Sequence, residues 1–262
     1  MSRETILRVQ NVTKTFGGIL ALNRLSFEVG RGEVLGIIGP NGSGKTTVVN
    51  CITGFVRMTS GKVFFEDQDI SGKPPHKIAD MGVTRTFQVM RPYYSLPAYK
   101  NLVIPLFSPR ARRTGGWRGG GKLGDRNTVG IDILEEIGFE RDSFVPYKMA
   151  STLPTGYLKR LELARCLALQ PEVILCDEVF SGLSMSEIAS MVPLIERIQM
   201  DGITVVMIEH RLRELFRVAN RIVVLNFGEK LMEGTPEEVM SDERVREAYF
   251  GSEEVEEVMT YA

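Results

Sequence analysis

The residues best equipped for chemistry form one run, Gly39-Pro40-Asn41-Gly42-Ser43-Gly44-Lys45-Thr46-Thr47. It fits the phosphate-binding pattern G-x-x-x-x-G-K-[ST], in which each residue type has a physical task. Glycines at 39, 42 and 44 remove Cβ atoms that would hold the backbone off a ligand, so successive N–H groups can converge on phosphate oxygens. Lys45 supplies a cation for the β- and γ-phosphates, and the Thr46 hydroxyl is a ligand for Mg²⁺. A second candidate, the acid pair Asp177-Glu178, ends the apolar run Val173-Ile174-Leu175-Cys176. Asp177 is suited to hold Mg²⁺ through water, and Glu178 to take a proton from an attacking water. His210 follows Glu209 at the end of a further apolar run; alone, it reads as a surface histidine.

Such groups need a frame that brings them to one edge. Val34-Leu35-Gly36-Ile37-Ile38 has the length and composition of a buried strand, and the chain from Thr46 to Ile52 continues as a helix. The order strand, glycine loop, helix also points the positive end of a helix dipole at bound phosphate. Runs at 173–176, 204–208 and 221–225 read as further buried strands, with a crossover helix from Ser186 to Met200 joining two of them in parallel. Acids at the C-terminal end of such a strand lie in the crevice where a doubly wound sheet binds ligands.

Ahead of this frame, residues 7–29 alternate short extended stretches with Gly17-Gly18 and Gly30-Arg31-Gly32 turns, the rhythm of antiparallel strands. Lys62-Val63-Phe64-Phe65-Glu66 adds another strand to that small sheet. Phe16 precedes the loop at a distance suited to stacking on an adenine; as a lone aromatic it reads more readily as ordinary core, since aromatics dominate cores. Gly82 to Gln88 reads as a short strand ending in glutamine. Residues 89–106 are broken by Pro92, Pro97 and Pro105 and carry Tyr93, Tyr94 and Tyr99, either a partner-docking surface or packing within a small helical subdomain. Residues 109–126 are rich in glycine and arginine and are expected to form a mobile loop, solvated or in contact with anionic headgroups. Residues 129–137 read as an amphipathic helix ended by Gly138. A helix from Gly156 through Leu169 carries Leu158, Leu161, Ala164 and Ala168 on one side. Asn226 to Lys230 reads as a hairpin turn, and Thr235-Pro236-Glu237-Glu238-Val239 as the start of a C-terminal helix.

Composition bounds the rest. A chain of 262 residues can bury a sizeable core, and 32 basic against 33 acidic residues leave a net charge of -1, which argues against a nucleic-acid surface. Cys51, Cys166 and Cys176 are scattered among apolar neighbours and read as reduced, buried thiols. No apolar run approaches the roughly 20 residues that span a bilayer.

Taken together and in order, Phe16, Gly39 to Thr47, Gln88, Leu153-Pro154-Thr155-Gly156-Tyr157, Asp177-Glu178, Ser181 to Ser184 and His210 resemble the ATP-binding-cassette ATPases, from Leu7 to Gly251. The resemblance implies an α/β P-loop core with an N-terminal antiparallel β subdomain and an inserted helical subdomain. It divides the chain into a core (1–88 and 157–250), a helical segment (89–156) and an acidic tail (251–262). It implies ATP and Mg²⁺ as ligands, with Phe16 on the adenine, Gly39 to Thr47 on the triphosphate, and Thr46, Gln88 and Asp177 around the metal. Glu178 matches the base, Gln88 the metal and water sensor, and His210 the γ-phosphate contact. Leu153, Pro154, Thr155 and Gly156 match the stretch that covers ATP bound to a second cassette. Phe16-Gly17-Gly18, Thr84 to Gln88, Lys159 to Arg165 and Glu247 to Gly251 resemble most the branched-chain amino acid uptake branch, which urea and amide importers share. That branch implies a second, similar cassette (a heterodimer, with a homodimer as the alternative), two permeases, a substrate-binding protein outside the membrane, and a place on the cytoplasmic face. An ATP-dependent clamp with little turnover is the competing reading. Against the family pattern Leu-Ser-Gly-Gly-Gln, Pro154 replaces serine, Thr155 glycine and Tyr157 glutamine; Ser184 stands for an aspartate and Val179 for a proline.

Overall fold

The structure, a computed structural model, describes residues 4–114 and 125–249. Strands β1 (Thr5–Phe16) and β2 (Ile19–Gly30) form a hairpin, and β3 (Val34–Ile38) leads through the glycine loop into α1 (Lys45–Ile52). Strands β4 (Ser60–Phe65) and β5 (Gln68–Asp69) and helix α2 (Pro75–Met81) precede β6 (Val83–Arg85). Helices α3 (Lys100–Leu106), α4 (Pro109–Arg113), α5 (Arg126–Glu136) and α6 (Thr155–Leu167) follow. Strand and helix then alternate through β7 (Val173–Asp177), α7 (Met185–Met200), β8 (Thr204–Ile208), α8 (Leu212–Val218) and β9 (Arg221–Asn226). Strand β10 (Glu229–Gly234) and helices α9 (Pro236–Ser241) and α10 (Glu243–Tyr249) close the described chain.

The strands form two sheets. One is antiparallel, ordered β2-β1-β4-β5; the other runs β10-β9-β3-β8-β7-β6. All neighbours in the second sheet are parallel except β10, which returns antiparallel to β9. Strands β3, β7 and β8 are buried at every position, as expected of strands covered on both faces. Their side chains alternate between two cores. Leu35, Ile37, Val173, Leu175, Val206 and Ile208 pack with α1 and the antiparallel sheet, whereas Val34, Ile38, Ile174, Cys176, Val205 and Met207 pack with the helices on the other side. Gly36 marks the closest approach on the helical side: a Cβ there would lie 2.4 Å from Ile222 Cδ1 and 3.0 Å from Leu215 Cδ2.

Several boundaries differ from those read in the sequence. Only Val83–Arg85 of the 82–88 stretch is strand; Thr86 makes the last bonds to β7, its N–H donating to Leu175 O at 3.0 Å and its hydroxyl accepting from Asp177 N at 3.1 Å. The helix expected over 129–137 begins at Arg126, with the Asp125 side chain accepting from Asn127 N. The expected loop 109–126 is helical at its start: Ser108 caps α4, and the Arg110 guanidinium donates to the carbonyls of Gln170 and Met81 and to Glu172. Its glycine-rich centre, residues 115–124, lies outside the described residues, as does the acidic stretch 253–257. Helix α6 is continuous through position 156 and packs against α3 and α5. All three cysteines are buried and free.

Candidate nucleotide site

The β3–α1 turn forms the loop that its glycines require. Gly39, Gly42 and Gly44 have φ of +152°, +81° and +102°, values that side chains with a Cβ rarely adopt. At Gly39 a Cβ would also sit 2.1 Å from Leu225 O and 2.6 Å from Ser43 Oγ, so this position excludes any larger residue. Lys45 is buried, and its Nζ donates to Gly39 O (2.6 Å) and Pro40 O (3.1 Å). The ammonium thus lies inside the arch of the loop, where phosphate oxygens would replace carbonyl oxygens. Asn41 and Gly42 are exposed, Thr46 is exposed and Thr47 half-buried. Ser43 Oγ is buried without a hydrogen-bond partner, an acceptor and donor left for a ligand. Alongside the loop, a cavity of about 720 Å³ is lined in part by Pro40, Asn41, Phe227, Leu231 and Arg244.

The parallel register places the end of β7 beside the end of β8, since Asp177 pairs with Ile208. This brings Glu178 and His210 together: His210 Nε2 lies 3.2 Å from Glu178 Oε1. Gln88 arrives from β6 and donates through Nε2 to Glu178 Oε2 at 2.8 Å. Both carboxylate oxygens of Glu178 therefore face side chains picked out in the sequence. The Glu178 backbone has φ of 52°, a left-handed conformation unusual for a residue with a Cβ and of a kind that clusters at functional sites. Its N–H donates to Ile208 O at 2.9 Å, which fixes this conformation against β8.

Asp177 is almost wholly buried, and one oxygen accepts from Arg85 Nη2 at 2.7 Å. Burial pushes its carboxyl above the usual carboxylate range, with Arg85 opposing; burial likewise lowers Arg85, so desolvation governs both partners. Arg85 also donates to Asn50 Oδ1 of α1 at 2.5 Å. This guanidinium ties the loop helix to the acidic strand. It was missed in the sequence, although an arginine inside a short apolar strand is a signal in itself. Asp177 Oδ1 is buried with no hydrogen-bond partner. A lone oxygen of that kind, an exposed threonine hydroxyl at 46 and the Gln88 amide suit a Mg²⁺ held chiefly by water and substrate phosphates.

Two expected groups stand apart from this cluster. Phe16 is about half exposed at the tip of the β1–β2 hairpin, with Lys14 Nζ 4.5 Å from its ring centroid. Leu153, Pro154, Thr155 and Gly156 form the start of α6, where Pro154 occupies the N-cap without a side-chain cap. Their neighbour is Glu187: a Cβ on Gly156 would lie 2.4 Å from Glu187 Oε1. Glu187 closes a capping box with Ser184, so the serine in the place of the usual aspartate starts α7.

Similarity to known proteins decides the family. Residues 22–181 match the ABC transporter family, and residues 229–255 match the branched-chain amino acid ATP-binding cassette transporter family. The chain belongs to the ABC transporters. Among its relatives is the high-affinity branched-chain amino acid transport ATP-binding protein BraF of Pseudomonas aeruginosa, 36% identical over 96% of this chain and 99% of that protein. LivG of Escherichia coli, whose name carries the same description, is 35% identical over 95% of this chain and 98% of that protein. The ADP conformation of the cassette MJ1267 superposes with a TM-score of 0.81 at 32% identity, covering 95% of this chain and 99% of that one. The cassette MJ0796, solved as a dimer with ADP and Pi, superposes with a TM-score of 0.75 at 26% identity over 88% of this chain and 99% of that one. Within the family, this chain is the ATP-binding and ATP-hydrolysing cassette. Among the described residues, no helix of this cassette is long and apolar enough to cross a membrane.

Proposed function

We propose that this cassette powers the import of branched-chain amino acids, working as one of two paired cassettes beneath two membrane permeases on the cytoplasmic face. An extracytoplasmic binding protein would deliver the substrate. The substrate class follows the names of the relatives, which are similar along nearly the whole chain. The observation that carries the catalytic part is Glu178 held between Gln88 and His210.

In this reading the loop from Gly39 to Thr47 grips the triphosphate through its N–H groups and Lys45, and Phe16 stacks on the adenine. Glu178 accepts the proton of the attacking water, Gln88 orients that water, and His210 contacts the γ-phosphate. Thr46, Gln88 and Asp177 would hold Mg²⁺, which when bound offsets charge on the β- and γ-phosphates. Leu153, Pro154, Thr155 and Gly156 face the nucleotide of the second cassette. Residues 89–156 would make up the helical unit that carries them, with α6 running on from it into the core at 1–88 and 157–250.

A clamp with little turnover is favoured by one feature, the uncapped Pro154 where a serine hydroxyl is usual. Glu178→Gln in the assembled complex separates the two. For an importer motor, phosphate release falls by about 10²–10⁴-fold while ATP affinity is kept. Release that is already negligible before substitution, or unchanged after it, removes the motor reading.

A further inference from the structure

Helix α6 carries Lys159, Glu162 and Arg165 at intervals of three, a spacing that stacks them on one stripe. Lys159 and Glu162 are buried. Charges so placed are costly unless paired, and most of their partners here are main-chain atoms, chiefly of residues 88 and 91. Lys159 Nζ donates to Gln88 O at 3.3 Å. Glu162 Oε1 accepts the Arg91 N–H at 2.8 Å, and Arg165 Nη1 donates both to Arg91 O and to Glu162 Oε1 at 2.8 Å. Lys159 also donates to Glu178 O at 2.8 Å.

We propose that Lys159, Glu162 and Arg165 form a latch of positioning residues that holds residues 88–91 on α6 and, through Lys159, fixes Gln88 against Glu178. This rests on the reading of Gln88 and Glu178 as the pair that handles water. The three side chains bond main-chain atoms, so their work is to set backbone position; the chemistry belongs to the side chains of Gln88 and Glu178. The start of the same helix carries Thr155 and Gly156. Displacement of that end by a second cassette is therefore carried, less than two turns along, into the spacing between Gln88 and Glu178. A bond from a flexible ammonium to two carbonyls on different segments joins them as no apolar residue could. An arginine at 159 keeps the charge and still has donors, presented as a planar fork in place of a compact ammonium.

Two measurements test the latch. In the assembled complex, Lys159→Met is expected to lower kcat by about 10²-fold, as misplacement of reacting groups by an ångström does. The KM for ATP is expected to stay within about threefold, and Lys159→Arg to recover most of the loss. By hydrogen exchange, Glu162→Ala is expected to speed exchange of the Arg91 amide by at least about tenfold, while amides of β3 and β8 keep their protection and Glu162→Gln preserves that of Arg91. Unchanged kcat in Lys159→Met, or unchanged Arg91 exchange in Glu162→Ala, overturns the latch. If the parent complex releases no phosphate, the motor reading fails instead, and the exchange arm, which needs no turnover, still decides the latch.

Discussion

At the scale of single residues, the loop lysine and the acid behind the site act through different physics. Lys45 sits where its ammonium already satisfies two carbonyls, which in the proposed reading it would trade for phosphate oxygens when a nucleotide enters. Lys45→Ala removes a charge-assisted contact, and the Kd for ATP measured by titration is expected to rise by at least about 10²-fold. Glu209 is buried behind Glu178 and accepts the Phe180 N–H at 3.0 Å. Burial pushes its carboxyl up to about 8, while the Phe180 N–H and Lys159 oppose and Glu178 reinforces the rise. Between the ordinary carboxylate range and pH 8, the folded chain keeps a proton that the unfolded chain has lost. Its contribution to stability is therefore full at low pH and falls as pH rises through that window, by about 1 kcal/mol per unit. Glu209→Gln abolishes this dependence, so its melting temperature relative to the parent is expected to climb between pH 5 and pH 8. A constant difference across those scans contradicts the assignment.

At the scale of elements, α4 illustrates what composition alone misjudges. Arg110 lies in a stretch whose glycines and arginines read as loop, yet its guanidinium is largely buried and bonds Gln170 O, Met81 O and Glu172. It joins α4 to the N-terminal ends of β6 and β7, beneath a glycine at 82 whose Cβ would lie 2.7 Å from Arg110 Cζ. Arg110→Ala leaves two carbonyls and a carboxylate short of a donor, a loss on the order of 2 kcal/mol. For a chain of this size the expected drop in melting temperature is about 4–8 °C by calorimetry; Arg112→Ala, on the same short helix, is the control. The buried strands were legible because runs such as Val173-Ile174-Leu175-Cys176, bounded by polar or turn residues, have few other places to go, and the glycine loop because its pattern and flanks agree. The pairing of Glu178 with His210 and Gln88 was legible only through the family resemblance. The contacts of Arg85, Arg110 and Lys159 were not, because a long cationic side chain reads as solvated until the fold shows which carbonyls surround it.

At the scale of the whole molecule, the two faces of the cassette differ in how well they match the family pattern. The face proposed to hold this chain's own nucleotide keeps the full loop, Gln88, Glu178 and His210, and the geometry draws the last three together. The face presented by α6 has Pro154 as its N-cap, with neither a hydroxyl nor an N–H to offer, and Glu187 beside Gly156. If cassettes close head to tail, the first set serves the nucleotide on this chain and the second serves the nucleotide on its partner. Loss of one preorganised donor at a transferring phosphoryl group costs on the order of 3 kcal/mol, about 10²-fold in rate. In a heterodimer whose other cassette carries a complete signature, turnover is therefore expected to concentrate on this chain's own loop. Glu178→Gln here is expected to abolish nearly all phosphate release, while the equivalent change in the partner leaves most of it. Pro154→Ser is expected to raise turnover at the partner's loop without moving the ATP affinity of this one. Equal losses from the two glutamine variants, with no response to Pro154→Ser, would show that the Thr155 hydroxyl or the Gly156 N–H already supplies the missing donor.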